Sequence, residues 1–251
     1  MRVDSRRKPR AVRMLAIQNA AGSGPARFGE WWGESGLEVD LVAAFAGAPV
    51  PERLEHDAIV VLGGGLRLDD DKRAPWLTPV MRLMKQAIEN QVPSLGICLG
   101  GQMLAKVAGG ALAGEVREQG STAIHLRPAA DEDPLFHALP EVVHAIQHHK
   151  HSITRLPPGA VWLAETEQCP YQAFRVGPRS WGLQFHPEIG PDRIRRWNAE
   201  PLCALGIDPA ELYARAVCDE PASTSVWRKV ALRFGALARR HTAAHEWGRT
   251  R

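Results

Sequence analysis

The sequence predicts an α/β fold: a mainly parallel sheet flanked by helices, with an antiparallel extension and a helical C-terminal cap. Three observations carry this expectation. Ala58-Ile59-Val60-Val61-Leu62 is apolar without alternation, as in a strand covered on both faces. Strand-like and helix-like stretches take turns up to about residue 110, the pattern of βαβ units. Beyond that point, strand candidates follow one another across turns with no long helix between them. They read as antiparallel hairpins joined to the edge of the parallel sheet.

In chain order, residues 1–12, with Arg2, Arg6, Arg7, Lys8 and Arg10, read as a flexible basic tail. Arg13 to Gln18 is a first strand, polar at its C-terminal end. Gly22-Ser23-Gly24-Pro25 is a turn, and Phe28 to Gly36 a short helix carrying Trp31 and Trp32. Leu37 to Phe45 is a second strand, broken off by Pro49-Val50-Pro51. Ala58 to Leu62 ends in Gly63-Gly64-Gly65, and Trp76 to Glu89 has amphipathic helical spacing. Ser94 to Ile97 is a short buried strand, followed after Cys98 by helical spacing from Gln102 to Ala108. Strand candidates then fall at 122–126, 144–149, 161–164, 172–176 and 181–185. Pro191 opens a helical region that Pro201, Pro209 and Pro221 are expected to break. The division is therefore a tail at 1–12, a domain at 13–190, and a helical extension at 191–251 packing on that domain. Within the extension, the basic stretch Trp227 to His241 reads as a solvated amphipathic helix, with an acidic partner as the second reading.

Composition narrows the function. Of 251 residues 45% are apolar, ample for a core, and a net charge of +3 is too small to suggest nucleic acid. No apolar run approaches a membrane span, and the N-terminus lacks the apolar segment of a secretory signal. The four cysteines, Cys98, Cys169, Cys203 and Cys218, have neither metal nor disulfide spacing, which fits reduced thiols in a cytoplasm. Nothing signals a cofactor.

The chemistry centres on Gly96-Ile97-Cys98-Leu99-Gly100. A strand, a tight turn framed by glycines and a helix form the nucleophile-elbow pattern, with cysteine in place of serine. Glycine is needed there because a neighbouring Cβ would clash, and the helix N-terminus favours thiolate over thiol. A lone cysteine is more often a small buried hydrophobe; the glycine frame turns this one toward chemistry. A nucleophile needs a base and an orienter. His186 and Glu188, spaced by Pro187 in extended backbone, share a face and supply the pair, although an isolated His-Pro-Glu is more often a strand-ending turn. The amide of Leu99 and the backbone of Gly63, Gly64 and Gly65 are candidate oxyanion donors. The glycine run is otherwise a plain turn; a phosphate cradle is disfavoured because no Gly-Lys-Ser/Thr follows.

Gly96 to Gln102, Leu62 to Gly65, and Gly182 to Glu188 together resemble the class I glutamine amidotransferase family, in the stand-alone branch similar to the amidotransferase domain of GMP synthetase. The resemblance runs from about Arg13 to Ile189, with three separated motifs in the family's order. It implies a flavodoxin-like fold and a Cys98-His186-Glu188 triad. It also implies oxyanion amides at Gly64 and Leu99, and Gln102 on the substrate glutamine. The implied reaction releases ammonia from the glutamine side chain through a γ-glutamyl thioester, and the ammonia normally passes to a synthetase. Here 251 residues leave no room for that module, so a separate synthetase subunit is one candidate partner and a free-standing γ-glutamyl hydrolase the competing reading. A catalytically silent scaffold on the same fold is the third.

Two positions depart from the family. Gly65 stands where a proline often ends the glycine loop, and His151 stands where an aspartate is usual. His144, His148, His149 and His151 invite a metal reading. Only His149 and His151 share a strand face, with no Cys or Asp nearby in sequence, so rim histidines and no metal are expected. Cys169, Cys203 and Cys218 lack an elbow and read as structural.

Overall fold

The structure is a computed structural model and describes residues 10–70 and 72–249. Residues 1–9 of the expected tail lie outside them. Arg10, by contrast, donates to both carboxylate oxygens of Asp57.

The first half alternates as expected. β1 (Val12–Gln18) leads to α1 (Ala26–Glu34), β2 (Leu37–Ala43) and β3 (Ala58–Val61). Then come α2 (Leu77–Glu89), β4 (Ser94–Ile97) and α3 (Leu99–Val107). β2 stops earlier than expected because Ala44–Ala46 tightens into a 3-10 turn closed by Gly47 at φ +87°. The second half holds β5 (Ala111–Leu126), β6 (Val142–Arg155), β7 (Val161–Glu165), β8 (Ala173–Val176) and β9 (Ser180–Leu183). β5 and β6 are far longer than their sequence signals. Register shifts near Gly114–Glu118 and left-handed Gly120 (φ +86°) interrupt the alternation that would reveal a continuous strand.

The described strands form one nine-stranded sheet in the order β2-β1-β3-β4-β9-β8-β7-β5-β6. The five strands from β2 to β9 are parallel, and the pairings beyond β9 are antiparallel. β4 lies between β3 and β9, with Gly96 level with Val61 and with Gly182. Because these neighbours run the same way, their carboxyl ends finish together. The three motifs that follow β3, β4 and β9 are thereby gathered at one edge.

Side chains alternate between two cores along each strand. Met14, Val60 and Ile97 face Phe28, Trp32, Trp227 and Phe234, whereas Leu15, Ile59 and Val61 face Val80, Leu83, Met84 and Met103. Trp32, Trp181 and Trp227 are fully buried. Burying a ring of that size contributes on the order of 4–6 kcal/mol. All three are also anchored: Trp32 donates to the carbonyl of Ala231 at 2.9 Å, Trp227 to that of His144 at 2.8 Å, and Trp181 to Asp133 at 3.1 Å.

The C-terminal part comprises α4 (Ala199–Cys203) and the 41-residue α5 (Pro209–Arg249). The expectation that Pro221 breaks the helix is corrected: α5 runs through it. Pro221 is exposed, as is Val217, so the Val217 carbonyl that loses its amide partner lies on the solvent side of the helix. Buried Val226, Trp227, Val230, Ala231 and Phe234 hold the following turns in place. Pro209 starts the helix, where a proline costs no hydrogen bond.

Candidate active site

At the end of β4 the backbone turns sharply. Cys98 has φ 51° and ψ −105°, a conformation that costs a non-glycine residue on the order of 1–3 kcal/mol. Close packing holds it there. A Cβ on Gly96 would lie 2.3 Å from the carbonyl oxygen of Gly100, and one on Gly101 would lie 2.5 Å from that of Leu183. The Cys98 amide donates to Leu183 at 2.7 Å, locking the turn to the end of β9. Leu99 opens α3, so its N–H has no acceptor within the helix and is available at the nucleophile's side.

β9 delivers the second group. The His186 amide donates to Ile146 of β6 at 2.8 Å, which fixes where the imidazole leaves the backbone. His186 Nδ1 lies 2.8 Å from Oε1 of Glu188, a carboxylate only 1% exposed. Cys98 lies on the same side of the glycine loop, close to the imidazole: a Cβ on Gly63 would meet both residues. Burial alone would push the His186 pKa down. The charges of Glu188 and Cys98, with their hydrogen bonds, outweigh it and raise the pKa well above the ordinary value. A sulfur, an imidazole and a carboxylate are thus gathered together, from the ends of β4 and β9.

The glycine loop caps the group. Gly63 packs so closely that a Cβ there would lie 2.7 Å from Cε1 of His186 and 3.5 Å from Cβ of Cys98. Gly64 lies against Asn19 and Leu99, while Gly65 faces open space. Asn19, which the sequence reading missed, donates to the carbonyl of Leu62 at 2.7 Å and accepts from the Trp76 indole at 3.2 Å, anchoring the loop. The only sequence signal for it was polarity just past the end of β1.

Gly64, Gly65, Cys98 and Gln102 line a cleft of about 190 Å³ with His148, His149, Lys150 and His151 of β6. The Gln102 amide donates to the carbonyl of His151 at 2.9 Å and to Gln184 at 3.2 Å. Gln184, also missed, directs its own amide to the Cys98 sulfur at 3.9 Å. A second cleft of about 310 Å³ adjoins the first across Leu66, Gln102 and His151.

The rim histidines differ from one another. His148 stacks on Trp197 with centroids 4.2 Å apart. The residue as a whole is exposed, yet the packing around its ring and the nearby cations His186, Lys150 and Arg193 lower its pKa to about 4. His149 is buried and hydrogen-bonded. Its Nε2 lies 3.1 Å from Glu118, which also accepts from Thr166 at 2.6 Å and from Gln172. Tertiary pairing also brings in a cysteine that spacing hid: ligand atoms of Glu118, His149 and Cys169 lie within 4.8 Å of one another. This group is separate from Cys98, His186 and Glu188, and its carboxylate is already engaged by three donors. Burial, then Glu118, raises the Cys169 thiol to about 12. Cys203 and Cys218 are exposed.

Arg27 of α1 braces the His-Pro-Glu turn. Its Nε donates to the carbonyl of Pro187 at 2.9 Å and its backbone amide to that of Glu188 at 3.2 Å. The same guanidinium donates to Glu220 at 2.8 Å and to Thr224 at 3.0 Å, both on α5.

The family model "Glutamine amidotransferase class-I" matches residues 32–196. The chain is 36% identical over 142 residues to "GMP synthase [glutamine-hydrolyzing]" of Porphyromonas gingivalis, covering 56% of this chain and 26% of that protein. It is 39% identical over 122 residues to a Thermococcus kodakarensis protein named as one subunit of "GMP synthase [glutamine-hydrolyzing]", covering 46% and 62%. The chain thus spans about a quarter of the length of the first relative and under two thirds of the second. Among solved structures, a glutamine amidotransferase from Thermotoga maritima superposes with a TM-score of 0.80 at 27% identity, over 90% of this chain and 99% of that one. One from Methylobacillus flagellatus does so at 0.79 and 24% identity, over 91% and 96%, a likeness of fold. Among the described residues no helix is long and apolar enough to cross a membrane.

Proposed function

The chain belongs to the class-I glutamine amidotransferase family, and from that premise we propose that it hydrolyses a γ-glutamyl amide through a thioester on Cys98. His186 takes the thiol proton as sulfur attacks the amide carbonyl carbon. The N–H groups of Gly64 and Leu99 receive the oxyanion. The C–N bond breaks as His186 returns the proton to the departing nitrogen, so ammonia leaves. Water, deprotonated by His186, then cleaves the thioester and frees the γ-carboxylate. Glu188 holds the imidazole in the required tautomer and offsets its charge. The observation that carries this reading is the Cys98 turn set against the His186–Glu188 pair, 2.8 Å apart. With glutamine as donor the products are glutamate and ammonia. That the Thermococcus relative is named as one subunit of a synthase supports delivery of the ammonia to a separate synthetase.

The test is ammonia release by wild type and Cys98→Ala. Wild type is expected to turn over and the variant to lose at least about a thousandfold in kcat. Equal rates would remove Cys98 as nucleophile. A free-standing hydrolase of γ-glutamyl conjugates is the second reading, favoured by the adjoining 310 Å³ cleft. Substantial turnover by the isolated chain supports it, whereas activity raised many-fold by an added synthetase supports the first.

A further inference from the structure

The charge of the cleft bears on which γ-glutamyl amide it accepts. Among the described residues lining the 190 Å³ cleft, Lys150 and the three histidines 148, 149 and 151 are the ionisable ones besides Cys98, and no carboxylate is among them. The nearby carboxylates do not line the cleft: Glu188 pairs through Oε1 with His186, and Glu118 with His149, Thr166 and Gln172. The low pKa of His148 registers the same field, since His186, Lys150 and Arg193 each disfavour its protonation. An α-ammonium entering here meets positive charge with no counter-ion, whereas a carboxylate meets Lys150 and imidazole N–H groups.

The adjoining cleft extends the argument. Its walls include Leu66, Leu68, Leu112 and Ala113, and it opens onto the first across Gln102 and His151. Asp69 is its one carboxylate among the described lining residues, and Arg67 already donates to both its oxygens, at 3.0 and 2.9 Å. Lys106 also lines it, so the space suits a substituent without positive charge next to the acyl group.

We propose that the preferred acyl donor is a γ-glutamyl-type amide that keeps its α-carboxylate but lacks a free α-ammonium, its α-nitrogen being acylated or missing. The carboxylate lies by Lys150 and His151, and an acyl substituent on the nitrogen extends into the adjoining cleft. This rests on Cys98 being the nucleophile, and the bonds made and broken are those given above. The probes are L-glutamine, N-acetyl-L-glutamine and glutaramate. They are compared by kcat/KM for ammonia release and by calorimetric binding to Cys98→Ala, which needs neither turnover nor a partner. Both ammonium-free probes are expected to exceed glutamine by about tenfold or more, the scale of one unrelieved like-charge contact. His151→Asp, which supplies the missing carboxylate, is expected to close that gap in binding. Should glutamine bind and react as well as the others, the proposal is overturned while Cys98 keeps its role. If none of the three binds Cys98→Ala or is cleaved by wild type, both readings fall.

Discussion

Gly100 has no room for a methyl group: a Cβ there would lie 2.0 Å from the carbonyl oxygen of Val61. That oxygen belongs to the sheet backbone and cannot swing aside. Gly100→Ala is expected to cost about 3 kcal/mol or more, read as a lowered denaturant midpoint. Gly65→Ala, whose Cβ meets only open space, is the control and should stay within about 0.5 kcal/mol. Two histidines make opposite demands on pH. His186 has a raised pKa, so its stabilising contribution is complete below the ordinary histidine value near 6.5 and is lost as pH climbs through the raised one. His148 has a lowered pKa, so between about 4 and 6.5 the unfolded chain binds its proton more readily, and stability from this residue rises with pH. Proton titration of the two rings by NMR checks both. In Trp197→Ala the His148 midpoint should move up toward 6.5, because the stacked indole that helps to desolvate it is gone.

At the scale of elements, the site depends on segments that never touch substrate. Arg27 ties α1 to the backbone of the His186-Pro187-Glu188 turn and ties that turn to Glu220 and Thr224 of α5. Losing the brace lets the turn drift, and a displacement near 1 Å costs catalysis about a hundredfold. Arg27→Ala is therefore expected to lower kcat about 10- to 100-fold with little change in KM, and to shift the alkaline limb of the pH profile as the His186–Glu188 pair loosens. Arg27→Lys, which keeps charge but not the fork, should fall between. An unchanged kcat and pH profile in a folded Arg27→Ala protein would show that the turn holds itself.

For the whole molecule, α5 is part of the core rather than an appendage. Trp227, Phe234 and Ala238 are fully buried against one face of the sheet, and Phe185, next to His186, packs on Trp227 with centroids 4.9 Å apart. A chain ending after Asp208 would uncover Trp32 and Phe185 and remove Glu220 from Arg27. It is expected to aggregate, or to lose the cooperative unfolding of the full chain, by calorimetry and size-exclusion chromatography. A soluble truncated protein with intact unfolding would place the core in the sheet and α1 alone.

Much of this was legible in the residues. The apolar run at 58–62, the glycine frame of Cys98 and the order of three short motifs fixed the fold class and named the family's candidate triad. Those signals are local: a covered strand must be apolar along its length, and a turn pressed against its neighbours must be glycine. What the sequence hid is long-range. Pairing across the sheet brings Glu118 and Cys169 to His149, which no spacing could disclose. Asn19, Gln184 and Arg27 are ordinary polar residues until folding sets them beside the glycine loop, the sulfur and the His-Pro-Glu turn. Pro221 reads as a stop because local sterics say so, and packing on both sides of it overrides them. The chain's chemistry was written in short motifs. Their meeting at one sheet edge, and the charge of the cleft they share, were decided by strand order and register alone.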